Sequence, residues 1–506
     1  MTQPSDRDQS ALKENAQGAL PFAALSGALQ ILLSLLGMLL LVRYLPPDQF
    51  GIWTVMLGFS APIIIFTSFG FRHSLLRFLP AIENKYDQSR FLWAVVIRRV
   101  LWVILISLSL YFTFPVFAER IGLQGNKNVF MILLAGFPIL SACQYLTIGL
   151  NVGFRQREVF IGSLISQFVT VGGVLLGIYL KKDLSFFATV QLVGNSIYLV
   201  FNLAVTTYYI GPPSWKDFKK PHLEDSGEKH YRRTSFVDDV GNSLLSVNTS
   251  RFIVAAFAAT PQVAIYSFAV FITERLRTLM PLDLFRPLAT VTFFTRHEQN
   301  GTIDEVNRMF FFLFAINRIV STSFLVFFLP LGYQAIVWVF KPEYGESYLP
   351  IVFLLAYMAL FSMPIGLVAQ ALQRPKLLVY SKVAVLVNIG LGIPMATEYG
   401  AAGMAFSTAI SELIKSLIVF IFLRREFKIR YPWESTFRFL AAGLCVSLLL
   451  WWLDTAVHFL IAGGIGGLAW LAALRLFGVL SRNDRSLLIS VLPTRFQGMA
   501  STLLGS

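Results

Sequence analysis

The chain has 506 residues, 56% hydrophobic and only 14% charged, with 47 phenylalanines. A soluble protein is typically about 25% charged, so this composition excludes an ordinary soluble enzyme or binding domain and makes lipid the solvent. The formal net charge of +14 argues for topology and against nucleic acid, because Arg and Lys sit in short clusters between apolar runs, with no basic face and no interleaved aromatic stacking motif.

In chain order, residues 1–18 are polar and carry both signs of charge, which reads as a cytoplasmic tail and not as a cleaved leader. A crossing helix needs about 20 mostly apolar residues. About fourteen such runs follow: 19–42, 51–71, 91–117, 129–150, 159–180, 185–209, 236–258, 263–294, 309–331, 348–372, 377–396, 400–423, 435–453 and 456–478. The segment Ala335–Phe340 extends the ninth in one reading. The fold class is therefore an all-α polytopic membrane protein. Alternate loops are rich in Arg and Lys, such as Arg72, Arg77, Lys85 and Arg90, then Lys216, Lys219 and Lys220, whereas the opposite loops are poor in them. This asymmetry places both termini in the cytoplasm.

An internal repeat is expected. The segment starting at Pro47-Asp48-Gln49-Phe50 is similar to the one starting at Thr260-Pro261-Gln262-Val263, an offset of 213, and Arg155-Gln156-Arg157 is similar to Arg374-Pro375-Lys376, an offset of 219. Both map one six-helix unit onto the next in the same orientation, a parallel pseudo-repeat. The expected organisation is an N-lobe over 19–211, a cytoplasmic linker over 212–234 and a C-lobe over 235–423. Two extra C-terminal helices over 424–478 and a cytoplasmic tail over 479–506 complete it.

Ionisable groups within a span cost about 2.5–3.5 kcal/mol each on insertion scales, and helices seven and eight concentrate them. Ser235, Asp238, Asp239, Asn242, Ser246 and Thr249 fall within roughly a 100° arc of one helix, a polar stripe that reads as cavity-lining. The two acids have a second reading, as residues at the helix entrance favoured by its dipole. Helix eight carries Glu274, Arg275, Arg277, Asp283 and Arg286, interrupted by Pro281 and Pro287. Arginine suits a concentrated anion such as a diphosphate by bidentate contact. Arg251, Arg275 and Arg286 are accordingly the candidate anion-binding set, with internal pairing or snorkelling as the alternative. Glu274 with Arg277, Asp283 with Arg286, and Glu412 with Lys415 are i,i+3 pairs, structural or coupling. Arg98 and Arg99 fall near the cytoplasmic boundary of helix three. Gly463 and Gly467 form a GxxxG that reads as close helix packing.

No catalytic residues, metal site or cofactor are expected. The five histidines are scattered, Cys143 and Cys445 imply no disulfide framework, and no phosphate-binding glycine loop occurs.

Three motifs carry a family resemblance: Arg43-Tyr44-Leu45-Pro46-Pro47-Asp48-Gln49-Phe50-Gly51-Ile52-Trp53, then Phe340-Lys341-Pro342-Glu343-Tyr344-Gly345-Glu346-Ser347, then Asn388 with Glu398-Tyr399-Gly400-Ala401-Ala402-Gly403-Met404-Ala405. In that order they resemble the polysaccharide-type lipid-linked oligosaccharide flippases of the multidrug/oligosaccharidyl-lipid/polysaccharide exporter superfamily. Ser250-Arg251 departs from the Asp-Arg of many relatives. The resemblance implies a plasma (inner) membrane transporter without enzymatic activity. It would flip a polyprenyl-diphosphate-linked oligosaccharide by alternating access, for O-antigen or exopolysaccharide biosynthesis, in association with polymerase or export machinery. A multidrug exporter of the same superfamily and a membrane polymerase or ligase are the alternatives; the short outer loops weigh against an enzyme.

Overall fold

The computed structural model describes residues 29, 32–82, 84–153, 155–213, 226–244, 247–280, 303–361, 365, 368 and 376–479. All regular structure among them is helical. Ten helical stretches are long and apolar enough to cross a membrane. The expected count of fourteen also draws on shorter or more polar helices: α1 (Leu32–Tyr44), α9 (Ser226–Leu244) with α10 (Val247–Phe257), and α11 (Thr260–Thr278).

The chain divides into two units, Met1–Ala256 and Phe257–Ser506. In the first, α5 (Lys85–Ala118), α6 (Lys127–Val152), α7 (Gln156–Tyr179) and α8 (Leu184–Tyr209) are long, uninterrupted helices. Their ends lie within a few residues of the expected ones. Local chemistry sets the starts: the Asn84 side chain accepts from Tyr86 N at 3.0 Å, and Asp183 accepts from Phe186 N at 3.4 Å. Lipid is as apolar as leucine, so van der Waals packing holds such helices together. Phe91, Leu92, Val95 and Val96 of α5 are buried against Tyr145 and Leu146 of α6. The remainder of α5 presents Leu105, Leu108, Phe112 and Val116 outward.

The second expected crossing corresponds to α2 (Pro47–Gly58) and α3 (Ser60–Phe66), separated only by Phe59 and together long and apolar enough to span; after a turn, the short α4 (Phe71–Phe78) follows. The seventh begins about ten residues earlier than its hydropathy indicated, at Ser226, and its residues form the two helices α9 and α10, which belong with the first unit.

In the second unit, α12 (Ile303–Val339) packs on α13 (Tyr348–Phe361), α16 (Trp433–Asp454) and α17 (Phe459–Leu476). The short α14 (Lys376–Tyr380) precedes α15 (Ala384–Phe427), which reverses at Gly400, where φ is 56° and ψ −130°. A Cβ at Gly403 would stand 1.9 Å from the Met395 carbonyl oxygen, and Ser407 Oγ donates to Asn388 O at 3.2 Å. The Glu398–Ala405 motif is thus a tight hairpin of two spanning arms, as the sequence predicts. In α17 the close-packed glycine is Gly466, where a Cβ would meet Leu450 at 2.4 Å; Gly467 has nothing within 4 Å. The GxxxG pair is therefore not the packing device.

Candidate functional site

The break between α3 and α4 organises the polar interior of the first unit. Ser68 N donates to Ile65 O at 2.9 Å, passing over the Ile64 carbonyl. Phe69 and Gly70 then take positive φ, 43° and 75°. A Cβ at Gly70 would lie 2.0 Å from Arg232 O, so only glycine fits there. The released Ile64 carbonyl accepts from the Arg99 Nη2 group of α5. Arg99 also donates from Nε to Ser141 Oγ at 3.2 Å and stands 5.0 Å from the Tyr145 ring centroid. At 2% exposure its charge needs these partners, since an uncompensated buried charge is prohibitive.

Helix α9 closes on α4 through polar side chains. Ser74 Oγ donates to Glu228 Oε1 at 2.6 Å, and Glu228 pairs with Arg232 at 3.2 Å. Arg232 lies over Phe71 at 4.3 Å. His73 Nε2 and Asp239 Oδ1 are 3.0 Å apart. Asp239 is fourteenth in α9, beyond the first turn to which a dipole effect is confined, so the helix-entrance reading of this acid does not hold. A cavity of about 410 Å³ opens beside these contacts, lined by Arg98, Arg99, Arg232 and Arg233 together with Thr67, Phe69, Phe71, Trp102 and Phe236. Hydropathy assigned Glu228, Arg232 and Arg233 to a cytoplasmic linker, and the signal that could have recovered them is the i,i+4 spacing of Glu228 and Arg232.

The other candidates are placed individually. Arg251 is half-buried on α10 and donates to Asn248 Oδ1 at 3.1 Å. Arg275 is half-buried on α11, 5.1 Å from the Phe271 ring. Glu274 and Arg277 form the expected pair at 3.4 Å, each about half exposed, a geometry worth about 0–1 kcal/mol. Glu412 and Lys415 pair at 2.9 Å, and Tyr357 donates to Glu412 at 3.4 Å. Thr249 donates to Ser243 O at 3.0 Å across the junction of α9 and α10, so the polar stripe runs over two helices. The side chains of Asp238 and Asn242, together with Ser246, Asp283 and Arg286, lie outside the described residues.

The second unit holds a buried arginine that the sequence reading passed over. Arg318 of α12 is 3% exposed and donates to Ala359 O at 3.1 Å, Leu360 O at 2.6 Å and Thr436 Oγ1. It also lies over Phe314 at 4.6 Å. Its signal was plain: it is the one ionisable residue in the run 309–328.

These helices, ten stretches of which are long and apolar enough to cross a membrane, define a multi-pass membrane protein. Residues 21–293 match the model of the family described as polysaccharide biosynthesis protein, and the chain belongs to that family. Among solved structures it is similar to a lipid II flippase, MurJ, in an inward closed conformation, with TM-score 0.69 and 14% identity over 91% of this chain and 98% of that one. It is also similar to an inward-facing multidrug resistance MATE family transporter, with TM-score 0.65 and 13% identity over 79% and 94%. A superfamily transporter from Pyrococcus furiosus aligns with TM-score 0.54 and 12% identity over 81% and 94%. At these identities the likeness concerns the fold. No curated protein matches significantly in sequence.

Proposed function

We propose that the protein translocates a polyprenyl-diphosphate-linked oligosaccharide across the plasma membrane by alternating access, as a step in surface polysaccharide biosynthesis. Membership of the polysaccharide biosynthesis family over residues 21–293 carries this reading. The chemistry of the interior supports it: intramembrane arginines suit an anionic headgroup, and among the described residues no acidic side chain lines the cavity beside α4, α5 and α9. The headgroup would be held by cationic residues, Arg251, Arg275 and Arg286 among them, while the polyprenyl tail stays in lipid. The two lobes, 19–211 and 235–423, would alternate exposure of the site, with both termini cytoplasmic. The protein acts in this reading as a transporter and not an enzyme, alongside polymerase or export machinery.

A cation-coupled multidrug exporter is the second reading, favoured by the likeness of fold to the MATE transporter. Deletion in the native host separates the two. Loss of surface polysaccharide, with complete lipid-linked units trapped on the cytoplasmic leaflet, is the expected result. Normal polysaccharide with raised drug sensitivity would overturn it in favour of the exporter.

A further inference from the structure

The junction of α15 and α16 in the second unit presents cations and aromatic rings together at the edge of the membrane. Leu417, Ile421 and Arg424 of α15 are exposed and fall within about a 60° arc of the helix, so its lipid-facing stripe ends in a guanidinium. Arg425 and Lys428, also exposed, stand in the same last turn and cap. On α16, Trp433, Phe437, Leu440 and Leu444 form a second exposed stripe within a similar arc. Residues 439–453 carry no charge and span about 22 Å of a hydrocarbon layer roughly 30 Å thick. Trp433 and Phe437 come just before this run and therefore stand at headgroup depth, where Trp concentrates. They are 61% and 63% exposed, with ring centroids 6.1 Å apart.

The connection between the helices is short and firmly held. Five residues, 428–432, form it. Ile429 is buried with Phe310, Phe314 and Leu423 in the core of the second unit. The Tyr431 hydroxyl donates to Leu360 O and accepts from Arg318 Nη2, each at 3.4 Å, and its ring lies 4.6 Å from that of Trp433. The Arg430 amide donates to Asn307 Oδ1 at 3.1 Å. Lys428 closes α15 in the left-handed conformation, φ 54°, its amide donating to Arg424 O at 3.1 Å. The outward side chains thus sit on a fixed scaffold, which lowers the ordering cost of binding. Residues 424–428 carry three cations and one acid, Glu426. That excess is more than a helix C-terminus calls for, since its dipole amounts to about half a negative charge. Glu434, the acid at the start of α16, is paired with Arg438.

We propose that this junction is a docking site for an anionic phospholipid. Arg424, Arg425 and Lys428 hold its phosphate, Trp433 and Phe437 lie against its glycerol region, and its chains follow the exposed stripes of α15 and α16. Guanidinium groups match phosphate in shape and charge, and clusters of Lys and Arg beside a membrane helix attract acidic lipids. A zwitterionic lipid offers the same chains, but its ammonium is repelled by the three cations, so headgroup charge is the basis of selection. The assignment does not depend on which substrate the protein carries.

The test is titration of the purified full chain with phosphatidylglycerol or phosphatidylethanolamine, read by native mass spectrometry. Phosphatidylglycerol should bind at least tenfold more tightly. A cation near the membrane surface contributes about fivefold to such binding. R424Q/R425Q/K428Q should therefore weaken phosphatidylglycerol at least tenfold with unchanged thermal unfolding, and leave phosphatidylethanolamine as it was. R424K/R425K, which keeps the charge, should retain most of the binding, and W433A/F437A should weaken both lipids several-fold. R120Q/K127Q, which removes exposed cations from the first unit, should change neither. Should the triple variant fail to fold, R425Q alone should weaken phosphatidylglycerol several-fold. Equal binding of the two lipids, unaltered binding in the charge variants, or an equal loss in R120Q/K127Q would each overturn the proposal.

Discussion

Arg99 and Arg318 stand 219 residues apart and occupy matching places in their two units. Arg99 reaches Ser141 on α6, and Arg318 reaches the Leu360 carbonyl on α13, and these two acceptor positions are also 219 residues apart. The same offset relates Arg155 to Arg374 in sequence. Each unit therefore ties its third and fourth crossing helices together with one buried guanidinium at the same point of the repeat. A membrane interior makes this device effective, because a backbone carbonyl released from its helix has no water to turn to.

Replacing Arg318 with Ala should be among the most damaging changes in the second unit. It removes donors from Ala359 O, Leu360 O and Thr436 at once. Each acceptor left unsatisfied costs about 1–3 kcal/mol. Thermal unfolding in detergent should fall by at least about 5 °C, and R318K should recover little, since one ammonium cannot reproduce a planar fork. A variant with unchanged unfolding would show that these bonds are replaceable.

Gly70 and Gly125 offer an internal comparison. Both have positive φ, 75° and 76°, but a Cβ at Gly70 meets Arg232 O at 2.0 Å while Gly125 has nothing within 4 Å. G125A should cost only the backbone strain, about 1–2 kcal/mol. G70A should cost clearly more and loosen α9 from α4. Equal melting temperatures for the two would refute the close approach.

His73 and Asp239 should be energetically coupled. H73A, D239A and the double variant form a cycle, and contact at 3.0 Å predicts a coupling of about 0.5–3 kcal/mol. Strict additivity of the two losses would mean that the contact contributes nothing to the packing of α9.

Neutralising the sequence-derived arginines tests the transport reading itself. R275A/R286A should abolish polysaccharide export while membrane insertion and expression level stay normal. Normal export by a stably expressed double variant would remove both residues from the substrate path.

How far the sequence reaches is clear from particular elements. Hydropathy located α5 to α8, α16 and α17 to within a few residues, because in lipid every backbone amide must be bonded within its own segment, and that demand is written locally as an apolar run. The Gly400 hairpin was equally legible, since its glycines and its motif are contiguous. The turn after α3, residues 67–70, falls where hydropathy ended the crossing, but what holds it was not legible, because that is Arg99, 35 residues away in α5. Glu228 and Arg232 read as linker because their partners Ser74 and Phe71 lie more than 150 residues upstream.

The sequence by itself determined the solvent and the helical class, which rest on local composition and periodicity, and its contiguous motifs carried the family resemblance. Only the tertiary structure decided which charges are compensated and which line a cavity. That outcome depends on groups brought within about 3 Å by packing, a length scale on which residues far apart in the chain become neighbours.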